Sequence, residues 1–453
     1  MTVARPRLRA KIASHPARSV VLVFLIAIAV GTALLLLPAS TAGGQRTDVQ
    51  TALFTSTSAV CVTGLAVVDT GTHFTGFGQG VILALMQLGG LGFMTMASLI
   101  AILVSRRLGL RMALLANRER SALSLGDVRR VLTGVALVTV AFEVSVAAVL
   151  AARFRWGYGY GWGRAAWHGA FHAVAAFTNA GFTLYPDSLT RFSTDVVVGG
   201  AMGVAVLVGG LGFPVLVDLY EHRRDRRWHR LALHSRLTLA MTALLFVVGW
   251  AAIAASEWTN PATFGDRGGF AKAWLAALGS ITPRTAGFNV VPIGSMTDEG
   301  LLATMVLMFV GAGSAGTSGG IKVGTAAVLG LVVWSQLRGR SDVEAFGRRI
   351  SDRVAREATT VVVLAVAVVV SATVLLLALT TSTLEDAAFE SLSAFGTVGL
   401  STGITPTLSH AARAVLVATM LVGRVGPVTL GMALVLRRRE ARLRYPEEAP
   451  LIG

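Results

Sequence analysis

Read for its apolar and polar positions, the chain alternates in a regular way. Two long apolar runs flank a shorter, less apolar piece, a basic stretch follows, and the pattern occurs four times. Runs near 19–37 and 78–104 flank 47–77, and runs at 131–152 and 195–219 flank 156–190. Runs at 234–255 and 299–336 flank 258–295, and runs at 358–379 and 411–436 flank 382–406. About 20 helical residues cross a bilayer core. The eight long runs therefore predict eight transmembrane helices, and the pieces between them are too short in apolar content to cross. The first run, Val20 to Leu37, follows Arg5, Arg7, Arg9, Lys11 and Arg18, as a signal peptide would. Its length, and the many comparable runs after it, favour a retained first span.

Composition and charge sharpen this picture. Of 453 residues 54% are hydrophobic and 14% charged, whereas a soluble protein is about 25% charged. Segments 1–18, 105–130, 220–236, 337–356 and 437–444 together hold 29 of the 40 Lys and Arg residues. Basic segments between apolar spans follow the positive-inside pattern, which puts all five in the cytoplasm with both termini. The net charge of +16 is therefore read as topology and not as a nucleic-acid surface. The single Cys61 excludes an intramolecular disulfide and a cysteine-based metal cluster.

The four intervening pieces resemble one another. Each begins with a short helical stretch: Ser56-Thr57-Ser58-Ala59, Ala175-Ala176-Phe177-Thr178, Gly279-Ser280-Ile281-Thr282 and Ser391-Leu392-Ser393-Ala394. Each then reaches a glycine, in Val62-Thr63-Gly64-Leu65, Asn179-Ala180-Gly181-Phe182, Thr285-Ala286-Gly287-Phe288 and Thr397-Val398-Gly399-Leu400. The second spans echo each other too, Leu88-Gly89-Gly90-Leu91-Gly92-Phe93 against Val208-Gly209-Gly210-Leu211-Gly212-Phe213. Irregular backbone survives at membrane depth only where protein buries it or water lines it. Four re-entrant loops around one axis would form a ring of carbonyls able to replace a cation's hydration shell. Glycine permits the positive φ angles that aim successive carbonyls one way, and the helix C-termini carry partial negative charge toward the centre. Asp69, Asp187, Asp298, Glu385 and Asp386 fall in outward segments, where they either concentrate cations or are ordinary solvated loop residues.

Over essentially its whole length the chain resembles the Trk/Ktr/HKT superfamily of potassium transporters. The resemblance rests on Ala59-Val60-Cys61-Val62-Thr63-Gly64-Leu65, Thr178-Asn179-Ala180-Gly181-Phe182, Pro283-Arg284-Thr285-Ala286-Gly287-Phe288-Asn289 and Phe395-Gly396-Thr397-Val398-Gly399-Leu400. Eight spans without an extra N-terminal pair are closer to the Ktr membrane subunit than to TrkH. The resemblance implies K⁺ held by backbone carbonyls of Val62, Thr63 and Gly64; Asn179, Ala180 and Gly181; Thr285, Ala286 and Gly287; and Thr397, Val398 and Gly399. Relatives that pass Na⁺ often carry serine at the first glycine, so Gly64 favours K⁺. The resemblance also implies a homodimer with one pore per subunit, docked on a cytosolic nucleotide-binding ring of the KtrA/TrkA kind. The basic cytoplasmic segments are the expected docking surface, and such segments also bind anionic membrane lipid.

Two second spans are interrupted. The third repeat's holds Gly311-Ala312-Gly313-Ser314-Ala315-Gly316-Thr317-Ser318-Gly319-Gly320-Ile321-Lys322. Its literal G-x-G-x-x-G lacks the strand before and the acid about 20 residues on that a dinucleotide site needs. The stretch predicts a broken helix, and the resemblance implies an intramembrane gating loop here; close helix packing is the plainer reading. The fourth repeat's second span carries Arg424 near its centre. A charge costs about 2.5–3.5 kcal/mol there on insertion scales and is a functional hypothesis by default; facing the cavity below the filter, it would be a barrier to cations. Lys322 either acts likewise or reaches the cytoplasmic interface. Glu143, inside an apolar span, either pairs with a basic residue or faces a subunit contact. His168 and His172 have the spacing of metal ligands, but packing or hydrogen bonding on a short pore helix is the favoured reading.

The expectation is an all-α integral membrane protein of the plasma (inner) membrane. It has a cytoplasmic segment 1–18, repeats at 19–104, 131–219, 234–336 (gating loop 311–322) and 358–436, and a cytoplasmic tail 437–453. It would conduct K⁺ inward, with no tightly bound cofactor or metal beyond the permeant ion, Na⁺ as a conceivable regulator, and no nucleic-acid partner. A Na⁺-permeable or Na⁺-coupled transporter of the same superfamily is the nearest alternative. An organic-solute transporter would show paired inverted repeats, and an enzyme a nucleophile, metal cluster or phosphate loop; the sequence has neither set of features.

Overall fold

The computed structural model describes residues 16–92, 125–224 and 228–426. The N-terminal segment up to residue 15, the end of the 78–104 run, most of 105–130, the end of the 411–436 run and the C-terminal tail lie outside the described residues.

The fold is predominantly helical. In chain order its helices are α1 Pro16–Leu35, α2 Val49–Val60, α3 Thr70–His73, α4 Gly76–Gly92, α5 Leu125–Gly157, α6 Trp162–Phe177, α7 Val196–Leu211 and α8 Phe213–Glu221. There follow α9 Leu233–Glu257, α10 Gly269–Ile281, α11 Asp298–Phe309, α12 Val323–Leu337, α13 Asp352–Leu379, α14 Leu384–Gly396 and α15 His410–Val425. Among the described residues three helices are long and apolar enough to cross a membrane: Thr133–Gly157 within α5, α9 and α13. A fourth is reached if the bent pair α7–α8 counts as one span.

Helices α2, α6, α10 and α14 have 12, 16, 13 and 13 residues. At about 1.5 Å per residue they reach at most about 24 Å, short of a core of about 30 Å. Each packs against the helix before it: α2 on α1, α6 on α5, α10 on α9 and α14 on α13. Two of these contacts are made the same way. Ser56 on α2 donates to the Ile28 carbonyl at 2.9 Å, and Ser280 on α10 to the Phe246 carbonyl at 2.9 Å. Local chemistry starts the elements: Asp48 caps α2 by accepting from the Gln50 and Thr51 amides, and Thr383 caps α14 by accepting from the Asp386 amide. The outer faces of the long helices are apolar yet exposed, as at Leu137, Val144, Val247, Val363 and Val374, the arrangement expected where the surrounding solvent is hydrocarbon.

Two features depart from the sequence reading. The run at 195–219 is not one helix, because α7 and α8 meet at 94°. Gly212 sits between them at φ 91° and Pro214 follows at the start of α8, so the helix stops where glycine allows the turn and resumes where proline is tolerated. The basic segment 337–356, expected without strand, holds a hairpin: β1 Val343–Ala345 pairs antiparallel with β2 Arg348–Ile350. Phe346 and Gly347 both take positive φ at its turn, the requirement of a two-residue hairpin.

Candidate functional site

The chain leaves each of α2, α6, α10 and α14 through a short loop with one backbone pattern. The loop glycine and the residue two before it both have positive φ: Val62 57° and Gly64 94°, Asn179 59° and Gly181 69°, Thr285 74° and Gly287 71°, Thr397 50° and Gly399 97°. Left-handed residues alternating with ordinary ones turn successive carbonyls toward one side. Val62, Thr285 and Thr397 are β-branched, for which such a φ is an outlier costing of order 1–3 kcal/mol. Strain repeated at one place in separate loops marks a site the surrounding fold holds under constraint.

The four loops meet. A Cβ on Gly64 would fall 2.5 Å from the Ala180 carbonyl oxygen and 2.7 Å from Gly181 Cα. On Gly287 it would fall 2.1 Å from the Val398 oxygen, and on Gly399 2.1 Å from the Thr63 oxygen. A Cβ on Gly181 would meet the oxygens of Thr63 and Ala286 at 3.1 and 3.2 Å. The contacts run 64 to 181 to 287 to 399 and back to 64, a closed ring of backbone. All four glycines line one cavity of about 380 Å³, together with Asp69, Tyr185, Ser401 and Thr405. Hydroxyls stiffen two loops: Ser58 Oγ accepts from the Gly64 amide at 3.0 Å, and Ser393 Oγ from the Gly399 amide at 3.1 Å.

On the ring's other side lies the segment 311–322, between α11 and α12. Its base is tied: the Gly311 amide donates to the Ile321 carbonyl at 2.8 Å and the Val323 amide to that of Ala312 at 3.1 Å. It docks where α7 breaks, the Gly313 amide donating to the Gly210 carbonyl at 2.8 Å and the Phe213 amide to that of Ala315 at 3.3 Å. It also reaches the ring's underside. A Cβ on Gly319 would strike Thr397 Oγ1, and the Asn179 amide group lies 3.4 Å from Ser318 Oγ. With its oxygen on that side, Asn179 donates to the Ala176 and Val206 carbonyls at 2.9 and 3.3 Å.

Arg424, at the end of α15, is 1% exposed. Its guanidinium donates to the Thr317 carbonyl within the segment and to the Gly89 carbonyl of α4 at 2.7 Å. Lys322 Nζ turns back onto the carbonyls of Ser318 and Gly319 and so closes the segment on itself. Arg424 thus binds 311–322 from outside, at Thr317, and Lys322 from within, while Gly313 and Gly316 lie against Gly210, Gly320 against Gly396 and Ser314 against Gly212.

Other sequence candidates sit elsewhere. Asp69 caps α3, accepting from the Gly71 and Thr72 amides, and Asp187 pairs with Arg191. Asp298, Glu385 and Asp386 lie in the first turns of α11 and α14, so these acids are largely helix-terminal groups. Glu143 is 7% exposed and accepts from Gln87 Nε2 at 2.9 Å, a neutral partner that neither sequence alternative named. His172 Nδ1 donates to the His168 carbonyl at 2.7 Å while its Nε2 accepts from the Leu184 amide at 3.4 Å, the hydrogen-bonding role favoured over metal ligation. Sequence reasoning missed Glu390, wholly buried on α14; its signal was an acid well inside a short helix that ends at one of the glycine loops.

Comparison with known proteins follows the same lines. Residues 5–440 match the TrkH family, described as a cation transport protein. The Ktr system potassium uptake protein B of Bacillus subtilis is 36% identical over all of both chains. Its namesake in Vibrio alginolyticus is 37% identical over 96% of this chain and 94% of that one. The potassium/sodium uptake protein NtpJ of Enterococcus hirae is 34% identical over all of both. The crystal structure of the potassium transporter TrkH from Vibrio parahaemolyticus shares the fold, with a TM-score of 0.71 at 18% identity over 92% of this chain and 84% of that one. Its apolar spans, its ring of glycine loops and these full-length likenesses make the chain an integral membrane protein of the TrkH family of cation transport proteins.

Proposed function

We propose that the chain takes up K⁺ across the plasma membrane through the ring of four loops, without enzymatic chemistry. The observation that carries this reading is the closed ring of Gly64, Gly181, Gly287 and Gly399 lining one cavity, which faces outward in the topology proposed here. In it the carbonyls of residues 62–64, 179–181, 285–287 and 397–399 replace the ion's hydration shell. The four units are one repeat, with eight spans in all, both termini in the cytoplasm, and α2, α6, α10 and α14 entering only part way.

Segment 311–322 is the gate. It lies under Thr397 and Asn179, and its contacts to α7 and Arg424 are hydrogen bonds to backbone that a moderate displacement can exchange. Arg424 adds a positive charge below the filter and slows cations while the segment is in place. Two relatives are named as proteins of a Ktr system, which supports a partner subunit; in this reading the chain is a homodimer and the partner is a cytosolic nucleotide-binding ring that sets the gate. The name of the Enterococcus relative, potassium/sodium uptake protein, keeps Na⁺ in view as a co-permeant or regulatory ion.

The test is growth of a K⁺-uptake-deficient bacterium on low K⁺, expressing the chain with its ring partner, beside Gly64→Ser. Rescue by the parent and weakened K⁺ preference in the serine variant are expected. A correctly inserted parent that takes up neither K⁺ nor Rb⁺ overturns the reading.

A further inference from the structure

Glu390 stands nine residues before Gly399, and His172 nine before Gly181. Each reaches from its pore helix to the limb that rises from its loop toward the outer cavity. Glu390 Oε1 accepts from Thr405 Oγ1 at 2.9 Å and from Ser401 Oγ. Ser401 Oγ in turn accepts from the Gly403 amide at 2.9 Å. Ser401, Gly403 and Thr405 all line the outer cavity. Across the ring, His172 takes the Leu184 amide and stacks on Tyr185, another cavity residue, with ring centroids 5.1 Å apart. Thr55 and Leu278 occupy the same place in the first and third loops, so the two ionisable groups belong to diagonally opposite members of the ring.

Glu390 is not a carboxylate satisfied for structure alone. Glu257, equally buried, has both oxygens engaged, by Thr297, Asn260 and Thr263. The second oxygen of Glu390 has no hydrogen-bond donor among the described residues, and no Lys or Arg pairs with it there. It is held only by hydroxyls of the limb that lines the outer mouth, so its contacts fix that limb, and among the described residues no cation competes for them.

We propose that Glu390, with His172 opposite, is a positioning residue that holds the outer limbs of two diagonal loops and so sets the outermost cation site and the preference for K⁺ over Na⁺. This rests on the filter reading above. The experiment measures KM, Vmax and the K⁺-to-Na⁺ uptake ratio for the parent, Glu390→Gln and Ser401→Ala, in the full chain with its ring partner. Glu390→Gln keeps volume and an acceptor but replaces the carboxyl that Ser401 and Thr405 hold; it is expected to raise KM for K⁺ by about fivefold and lower the ratio, with Vmax near the parent's, the scale of one hydrogen bond weakened. Ser401→Ala is expected to move both quantities in the same direction and by less. If Glu390→Gln does not reach the membrane, Ser401→Ala decides by the same two readouts. A uniform loss of Vmax with KM and ratio unchanged marks a purely structural role and overturns the proposal. A parent that moves no K⁺ overturns the filter reading and this proposal with it, whereas a K⁺-selective parent beside unchanged variants overturns this proposal alone.

Discussion

At the scale of single residues, the ring glycines differ in how little room they have. A methyl group on Gly181 would meet its neighbours at 3.1 Å or more, but on Gly287 or Gly399 it would sit 2.1 Å from a carbonyl oxygen. Gly181→Ala is therefore expected to be the mildest of the three. Gly287→Ala and Gly399→Ala should reduce K⁺ uptake at least about tenfold further, the effect of roughly 1.4 kcal/mol. Equal loss in all three, measured as Rb⁺ uptake at matched expression, would contradict this ordering. Arg424 makes the converse case. Arg424→Gln removes a buried charge that anchors 311–322 through the Thr317 carbonyl, so the initial uptake rate should rise about threefold or more while the detergent-solubilised protein melts a few degrees lower, each charge-assisted bond being worth about 1.5–3 kcal/mol. A slower variant would show that the arginine aids permeation.

At the scale of elements, the break between α7 and α8 is the joint on which 311–322 rests. A methyl on Gly212 would approach the Ser314 oxygen to 2.4 Å at a φ of 91°. Gly212→Ala should cost about 1–3 kcal/mol through strain and loosen the segment, read as faster proteolysis or hydrogen exchange at 311–322. Unaltered exchange there would separate the joint from the segment. Asp195 caps α7 from ahead of its first residue; partial burial raises its pKa, but hydrogen bonds from Arg153 and Tyr158 and from the Val198 and Val197 amides outweigh this and hold it below the usual carboxylate range. Its contribution to stability is present above the unfolded carboxylate pKa and is lost as pH falls through the lower folded value. Melting measured from neutral pH downward should show an acid-side decline that Asp195→Asn reduces. The ring glycines were legible in sequence because four copies of one spacing stand out even where each copy is weak. The 94° bend was not, since Val208 to Phe213 reads as an apolar run, and Gly212 with Pro214 marks a break without giving its angle. Glu390 escaped for a related reason: its partners Ser401 and Thr405 are close in sequence, but nothing in the pattern says the chain doubles back to them.

At the scale of the whole molecule, charge and hydropathy divide the labour. Apolar exposed faces on α5, α9 and α13 and basic segments between repeats were readable from composition, because lipid and membrane topology act on averages over many residues. The hairpin at 343–350 was not, because three-residue strands carry too few positions to register a period. That hairpin brings Arg348 and Arg349 to a cytoplasmic-side surface beside α12 in the proposed topology. If an acidic face of the ring partner docks there, association should weaken when salt shortens the screening length from about 8 Å at physiological strength toward about 3 Å at 1 M. Binding measured across that range, with an Arg348→Ala/Arg349→Ala variant alongside, checks it; a salt-independent affinity would move the docking site elsewhere.

The two bonds that tie the base of 311–322, Gly311 to Ile321 and Val323 to Ala312, also bear on how such a gate would answer to its bilayer. With its base clamped, the segment can swing aside without α11 and α12 spreading. If 311–322 is the gate, the area the protein occupies in the membrane plane stays the same in both states, and lateral tension does no work on the transition. Such a gate would answer to a partner in the cytosol and not to stretch.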